Sequence, residues 1–127
     1  MSTPFNPNDK LIGVKVRLFG PTGDYYARLA LDTGASFTVI RTALLVSIGY
    51  DPDSLPKTVS FITGSGVESA ARVTVDKIEA LDQERQSFAV VAHTLPPSSA
   101  IDGVLGLDFF RNRVLTLDFQ TGTITLL

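Results

Sequence analysis

The chain has 127 residues, a formal net charge of −2 and no cysteine. This length fits one domain that buries a core without metal or disulfide staples. The near-neutral charge gives no reason to expect a nucleic-acid partner. The missing cysteines exclude disulfides, thiol redox chemistry and a cysteine-based zinc site, and they fit a reducing compartment, so we expect a cytoplasmic protein. No apolar stretch approaches the roughly 20 residues of a membrane-spanning helix.

Residues 1–10 are predicted to form a flexible N-terminal arm. They have neither the basic start nor the apolar centre of a secretory signal, so we do not expect them to act as one. A regular pattern begins at Leu11. We therefore predict a single domain over residues 11–127.

The first third of the domain predicts a hairpin and a helix. Apolar and polar residues alternate from Leu11 to Leu18, which indicates a half-buried strand. A Gly- and Pro-containing turn follows, and the chain returns over 25–31 as the second arm of a hairpin. After a short β-rich run, helix formers over 42–48 end before Gly49, a residue suited to a helix C-terminus.

The rest of the chain is mostly β in its pattern. In order, it predicts a strand over 57–63, a glycine turn over 64–66, a strand from 67 to about 81, a polar turn over 82–85, a strand over 87–92, an irregular connection over 93–99, a short helix over 108–113 and a last hairpin over 114–127. The sum is an all-β domain with two short helices.

Two motifs carry chemical information. Asp32-Thr33-Gly34-Ala35-Ser36 directly follows the apolar end of the returning strand. The stretch 101–110, with sequence IDGVLGLDFF, is an apolar loop with glycines that leads into a short helix. A bare Asp-Thr-Gly often marks only a turn. The two motifs together, in a chain of this length, make a stronger signal.

Together the motifs resemble the retropepsin-like aspartic proteases, over essentially residues 11–127. The resemblance implies a retropepsin-like acid protease barrel with one lobe per chain. In that family the Asp of Asp-Thr-Gly holds the lytic water, the Thr hydroxyl braces the loop and the Gly permits a tight fold of the backbone. It therefore implies that Asp32 is catalytic and that Thr33 and Gly34 support it.

The implied chemistry requires two copies of the chain. Aspartic proteases use two carboxylates that share one proton, and this chain has one Asp-Thr-Gly. The resemblance thus implies an aspartic endopeptidase that acts on peptide or protein substrates as a homodimer, with no cofactor and no metal.

The resemblance also implies substrate-binding residues. Gly64-Ser65-Gly66 lies where the family has the tip of a flap, although the same residues occur in ordinary hairpin turns. Ser36 either binds the substrate backbone or caps the turn. Ala35 lacks the hydroxyl with which pepsin-like enzymes stabilise the ionised carboxylate, which favours activity at a less acidic pH. The candidate pocket walls, each of which also suits the core, are Val104, Leu105, Ile101 and Phe37.

The sequence departs from familiar retroviral enzymes at two positions. Those enzymes carry Asp where Ser36 stands and Arg where Leu107 stands, and the pair ties the catalytic loop to the helix and the dimer interface. This chain is more similar to cellular and bacterial retropepsin-like domains. We expect Asp102 to be structural, Asp108 to cap the following helix and His93 to lie on the surface.

Two alternatives stay open at this point. Asp32 could be a turn residue whose carboxylate accepts local backbone N–H bonds. The chain could also be a catalytically silent module of the same fold that binds peptides or dimerises. The complete Asp-Thr-Gly signature favours the enzyme.

Overall fold

The computed structural model describes residues 2–96 and 99–127. Within them the strands are, in chain order, β1 (Thr3–Pro4), β2 (Gly13–Gly20), β3 (Gly23–Leu31), β4 (Val39–Arg41), β5 (Val59–Thr63), β6 (Gly66–Ala70), β7 (Arg72–Ala80), β8 (Gln83–His93), β9 (Gly103–Leu105), β10 (Leu115–Asp118) and β11 (Thr123–Leu126). The α-helices of these residues are α1 (Thr42–Ser47) and α2 (Leu107–Phe110), and Pro52–Ser54 forms a 3₁₀ turn. The predicted all-β domain with two short helices is confirmed. None of the described helices is long and apolar enough to cross a membrane.

A closed barrel contains most of the strands, in the order β2-β3-β9-β4-β8-β7. Strands β2 and β3 form the predicted hairpin. Strand β9 lies between β3 and β4, parallel to the first and antiparallel to the second. Because β9 separates two strands that follow each other in the chain, residues 32–38 must loop around its end.

The interior of the barrel holds the hydrophobic core. The alternating residues of β2 face inwards, and Val14, Val16 and Leu18 are at most 1% exposed. They belong to one cluster with apolar residues from the other barrel strands and both helices. Full burial of one such side chain contributes about 1.5–3 kcal/mol, so the core holds each barrel strand in its register.

The strand predicted from 67 to about 81 is in fact two strands. β6 ends at Ala70 and pairs with β5, whereas β7 begins at Arg72 and pairs with β2 and β8. Between them the carbonyl of Ala71 accepts the N–H of Ala92 in β8. The β pattern continues through the break because both strands are extended, while the pairing partner changes.

The polar turn predicted over 82–85 is shorter and lies earlier. Leu81 and Asp82 form it, with φ angles of 53° and 61°, as a two-residue turn of the I′ type requires. β8 therefore begins at Gln83 and continues to His93. Residues 97 and 98 of the predicted irregular connection lie outside the described residues.

The two ends of the chain form a second sheet, in the order β1-β11-β10. Thr3 and Pro4 pair with β11, and the ring of Phe5 lies edge-on to Phe119 at 5.3 Å between centroids. Residues 3–5, part of the segment predicted as a flexible arm, are thus attached to the C-terminal hairpin. The domain boundary between residues 10 and 11 stays a prediction.

Gly103 generates a first testable prediction. A Cβ atom at this position would overlap the carbonyl oxygen of Val39, a backbone atom of the neighbouring strand. Gly103→Ala should therefore lower the free energy of unfolding by about 3 kcal/mol or more, measured by urea denaturation. Gly64→Ala is the matched control, because a Cβ atom there meets nothing within 4 Å. Equal losses of stability in the two variants would contradict the prediction.

Candidate functional site

The Asp-Thr-Gly turn begins where β3 ends. The N–H of Asp32 donates to the carbonyl of Leu105 in β9 (3.0 Å), and the N–H of Ala35 donates to the carbonyl of Asp32 (3.2 Å). The Oδ1 atom of Asp32 accepts the N–H of Gly34 at 2.9 Å. Asp32, Thr33 and Gly34 are all exposed. The turn thus presents the Asp32 carboxylate at the surface of the domain.

The backbone of α2 is in direct contact with this turn. The N–H of Leu107 donates to the carbonyl of Ala35 at 2.8 Å. Gly106 makes the approach possible, because a Cβ atom there would lie 2.6 Å from the carbonyl carbon and oxygen of Phe37. A glycine is needed where two backbones come this close.

A buried polar clamp ties the end of the loop to α2. Among the described residues, Thr38 is a polar residue that is fully buried, with 0% exposure. Its hydroxyl donates to Oδ1 of Asp108 (2.7 Å) and accepts the N–H of Gly106 (3.1 Å). The N–H of Thr38 donates to Oδ2 of Asp108 (2.9 Å). Such buried polar groups are stable because their hydrogen bonds are satisfied.

The prediction that Asp108 caps α2 is therefore wrong. The residue at the N-cap is Gly106, and no side chain makes a capping hydrogen bond there. The Asp108 carboxylate instead binds Thr38, seventy positions earlier in the chain. This clamp connects the loop to the helix without charged residues at Ser36 and Leu107. Thr38 was missed because a Thr in an apolar run signals only β propensity.

Asp102 has the structural surroundings that the sequence led us to expect. Its Oδ1 atom accepts a hydrogen bond from Nε of Arg41 (2.7 Å), and its Oδ2 atom accepts the N–H of Arg28 (2.9 Å). The hydrogen bond with Asp102 raises the pKa of Arg41 above its ordinary value. Asp102 thus links the loop before β9 to strands β3 and β4.

Asp32 differs from Asp102 and Asp108 in its surroundings. Within the described residues its carboxylate accepts a neighbouring backbone N–H but no side-chain donor. Asp102 instead binds donors from strands β3 and β4, and Asp108 binds Thr38 at the end of the loop. The described residues contain no group of three or more His, Cys, Asp or Glu side chains that could hold a metal ion. The exposed carboxylate of Asp32 is thus the group at this turn that can act as an acid or a base.

An apolar cleft of about 330 Å³ lies beside the turn. Its walls are Ala35, Ser36, Phe37, Val39, Val59, Ser60, Phe61, Val91 and His93. Residues 35–37 directly follow the Asp-Thr-Gly, so a ligand side chain in the cleft would lie next to it. His93, which the sequence predicts to lie on the surface, is partly exposed and forms part of this wall.

The β5–β6 hairpin supplies the opposite wall of the cleft. At its base, Val59 and Ala70 pack against Val91 of the barrel strand β8. Its tip is the turn Gly64–Ser65, and the neighbouring cross-strand pair Ile62 and Val67 is 85% and 74% exposed. The predicted residues Gly64, Ser65 and Gly66 thus lie at the end of a hairpin that borders the cleft.

The other predicted pocket residues are placed differently. Leu105 is fully buried in the core, and its side chain forms no part of the cleft. Val104 is half-buried on β9. Ile101 lines a different cleft, together with Arg41 and Asp102. The structure therefore brings Ala35, Ser36 and Phe37 to the cleft, but not Val104, Leu105 or Ile101.

Comparisons with known proteins agree with this geometry. A family model described as aspartyl protease matches residues 14–109. A retropepsin-like aspartic protease from Rickettsia conorii has a TM-score of 0.70 and 18% identity, over 100% of this chain and 97% of that chain. The retroviral protease-like domain of Ddi1 from Leishmania major has a TM-score of 0.60 and 13% identity, over 94% and 96% of the two chains. No curated protein sequence matches the chain.

The fold is that of a single retropepsin-like lobe, as the sequence predicted. The chain belongs to the aspartyl protease family.

The Thr38 clamp generates a second prediction. Thr38→Val keeps the branched shape but removes the hydroxyl, which leaves the N–H of Gly106 and one oxygen of Asp108 without their partner. The free energy of unfolding should fall by about 1–3 kcal/mol in a urea titration. Thr116→Val, on the exposed side of β10, is the control and should change it by less than about 0.5 kcal/mol. A Thr38→Val protein as stable as the parent would refute the clamp.

Proposed function

We propose that the protein is an aspartic endopeptidase that works as a homodimer, with Asp32 of each chain at the two-fold axis. The observation that carries the proposal is the exposed Asp32 carboxylate on the Asp-Thr-Gly turn of a one-lobe aspartyl protease subunit. One carboxylate cannot act as acid and base at once. A two-fold contact brings the same residue of both copies to one axis, which would supply the second carboxylate.

The proposed reaction is general acid–base hydrolysis of a peptide bond. The ionised Asp32 takes a proton from a water molecule as that water attacks the scissile carbonyl carbon, and the protonated Asp32 of the second copy donates its proton to the carbonyl oxygen. The tetrahedral intermediate then collapses and the C–N bond breaks. The leaving amine takes the proton that the first Asp32 removed from the water, and a hydroxyl group of the intermediate returns a proton to the second Asp32. No covalent enzyme intermediate forms. Thr33 and Gly34 hold the turn in place.

The substrate side chains next to the cleaved bond are proposed to be apolar or aromatic. The cleft beside the turn is walled mainly by apolar groups, among them Phe37, Val39 and Phe61, and such walls select apolar ligands. We further propose that the β5–β6 hairpin closes over the bound peptide. Closure would cover the exposed Ile62 and Val67 and would exclude water from the reaction.

Activity is proposed to be highest at mildly acidic pH. Ala35 supplies no hydroxyl to stabilise the ionised carboxylate, which favours activity at a less acidic pH than in pepsin-like enzymes. The rate should fall on both sides of this optimum, because the proposed reaction needs one ionised and one protonated carboxylate.

Asp32→Asn tests the catalytic assignment. The substitution removes the acid–base group but keeps an oxygen that can accept the N–H of Gly34, so cleavage should fall at least about a thousandfold while the fold is retained. A mixed peptide library followed by mass spectrometry measures cleavage, and circular dichroism checks the fold. Asp82→Asn is the matched control, because Asp82 is an exposed turn residue with positive φ, a conformation that Asn tolerates.

The outcomes of this test are distinct. Full activity of Asp32→Asn would exclude the assignment. Peptide binding without cleavage by the parent chain would favour the catalytically silent module.

Dilution tests the homodimer. If two chains form one site, specific activity should fall once the concentration drops below the dissociation constant of the dimer, which analytical ultracentrifugation measures independently. The physical reason is mass action, because separated subunits each hold half of the carboxylate pair. A rate strictly proportional to concentration well below that constant would mean that one chain makes the whole site.

A further inference from the structure

His93 contacts both strands of the β5–β6 hairpin. The centroid of its ring lies 5.0 Å from that of Phe61 on β5, at an interplanar angle of 89°. Its Nε2 atom lies 3.8 Å from Oε2 of Glu68 on β6. Phe61 and Glu68 are cross-strand partners. The His93 side chain, at the end of β8, therefore touches both residues of one cross-strand pair of the hairpin.

The cross-strand pair of Phe61 and Glu68 lies between the packed base and the exposed tip of the hairpin. On the base side, Val59 and Ala70 are 6% and 3% exposed and pack on the barrel. On the tip side, Ile62 and Val67 are largely exposed. The contact of His93 is thus made where the hairpin leaves the body of the protein.

The same imidazole separates two clefts. On one side it lines the apolar cleft beside the Asp-Thr-Gly turn. On the other side it lines a cleft of about 410 Å³ whose walls include Asp53, Lys57 and Glu68. The His93 side chain is 31% exposed. Its ring therefore forms the boundary at which the apolar cleft ends and a charged one begins.

We propose that His93 positions the β5–β6 hairpin over the apolar cleft and thereby limits the size of the substrate side chain that the cleft admits. The edge-to-face contact with Phe61 depends on ring orientation, so it resists a tilt of the hairpin. Glu68 adds an attraction on the second strand, and this becomes an ion pair when the imidazole is protonated. The limit on side-chain size rests on the proposed function. The positioning of the hairpin does not.

Hydrogen exchange followed by mass spectrometry tests the positioning without requiring activity. In His93→Ala the backbone amides of residues 61–67 should exchange on the order of fivefold faster, because the ring contact is lost, while those of β2 and β3 should not change. His93→Phe keeps a ring against Phe61 and should restore exchange close to the parent rate. Glu68→Gln should give a smaller acceleration than His93→Ala.

Glu84→Gln is the matched control for Glu68→Gln. Glu84 also lies 3.8 Å from a basic side chain, Lys77, but in the β7–β8 hairpin. This variant should leave exchange at residues 61–67 unchanged. An equal acceleration in the two Gln variants would overturn the role of Glu68.

Kinetics test the limit on side-chain size. His93→Ala should raise KM for a peptide with valine next to the cleaved bond and change kcat by less than about twofold, because the reacting groups are untouched. The ratio of kcat/KM for a peptide with tryptophan at that position to kcat/KM for the valine peptide should be about tenfold higher than in the parent, as expected when a pocket wall is removed. His93→Phe should keep the selectivity of the parent. Unchanged selectivity in His93→Ala would overturn the limit.

Further outcomes separate the two proposals. Unchanged exchange at residues 61–67 in His93→Ala would overturn the positioning, and so would an acceleration spread evenly over the barrel, which would mean that His93 supports the whole fold. A parent chain that cleaves no peptide would remove the proposed protease function. The exchange of the hairpin would still decide the positioning role of His93.

Discussion

The insertion of β9 between β3 and β4 is the constraint on which the rest of the site depends. Because these two strands are consecutive in the chain but not adjacent in the barrel, residues 32–38 must pass around the end of β9. The N–H of Asp32 then bonds the carbonyl of Leu105, and glycines at 103 and 106 allow backbones to approach where a Cβ atom would collide. The exposed position of the Asp32 carboxylate is a consequence of this topology.

Near the loop of residues 32–38, the protein combines a firmly held segment with a hairpin that has fewer packed contacts. The carboxylates of Asp108 and Asp102 bind donors from residues far away in the chain, and in the described residues no buried side-chain nitrogen or oxygen lacks a partner. Buried polar groups that are fully satisfied favour one arrangement of the chain over others. The tip of the β5–β6 hairpin has exposed apolar residues instead, and segments with few packed contacts are those that open most easily. The proposed peptidase activity would need both, because reacting groups must be held in place while a substrate enters and leaves.

Much of the fold could be predicted because its signals are local. The alternation in β2 records which residues face the core, and Gly49, with a φ angle of 105°, follows α1 near the predicted end of the helix. The split between β6 and β7 could not be predicted. Alternation reports burial on each side of a strand but not the identity of the neighbouring strand, and here the neighbour changes at Ala71 while the chain stays extended.

For the site, the sequence by itself determined the family and the position of the candidate acid–base residue. Asp-Thr-Gly and the glycine loop are short, contiguous motifs, so they can be recognised without a structure. Only the tertiary structure decided that Asp108 binds Thr38 rather than capping a helix, that Leu105 is buried and that His93 meets Phe61 and Glu68. Each of these contacts joins residues far apart in the chain. Their partners are set by the order of the strands in the barrel, which no local pattern of residue types encodes.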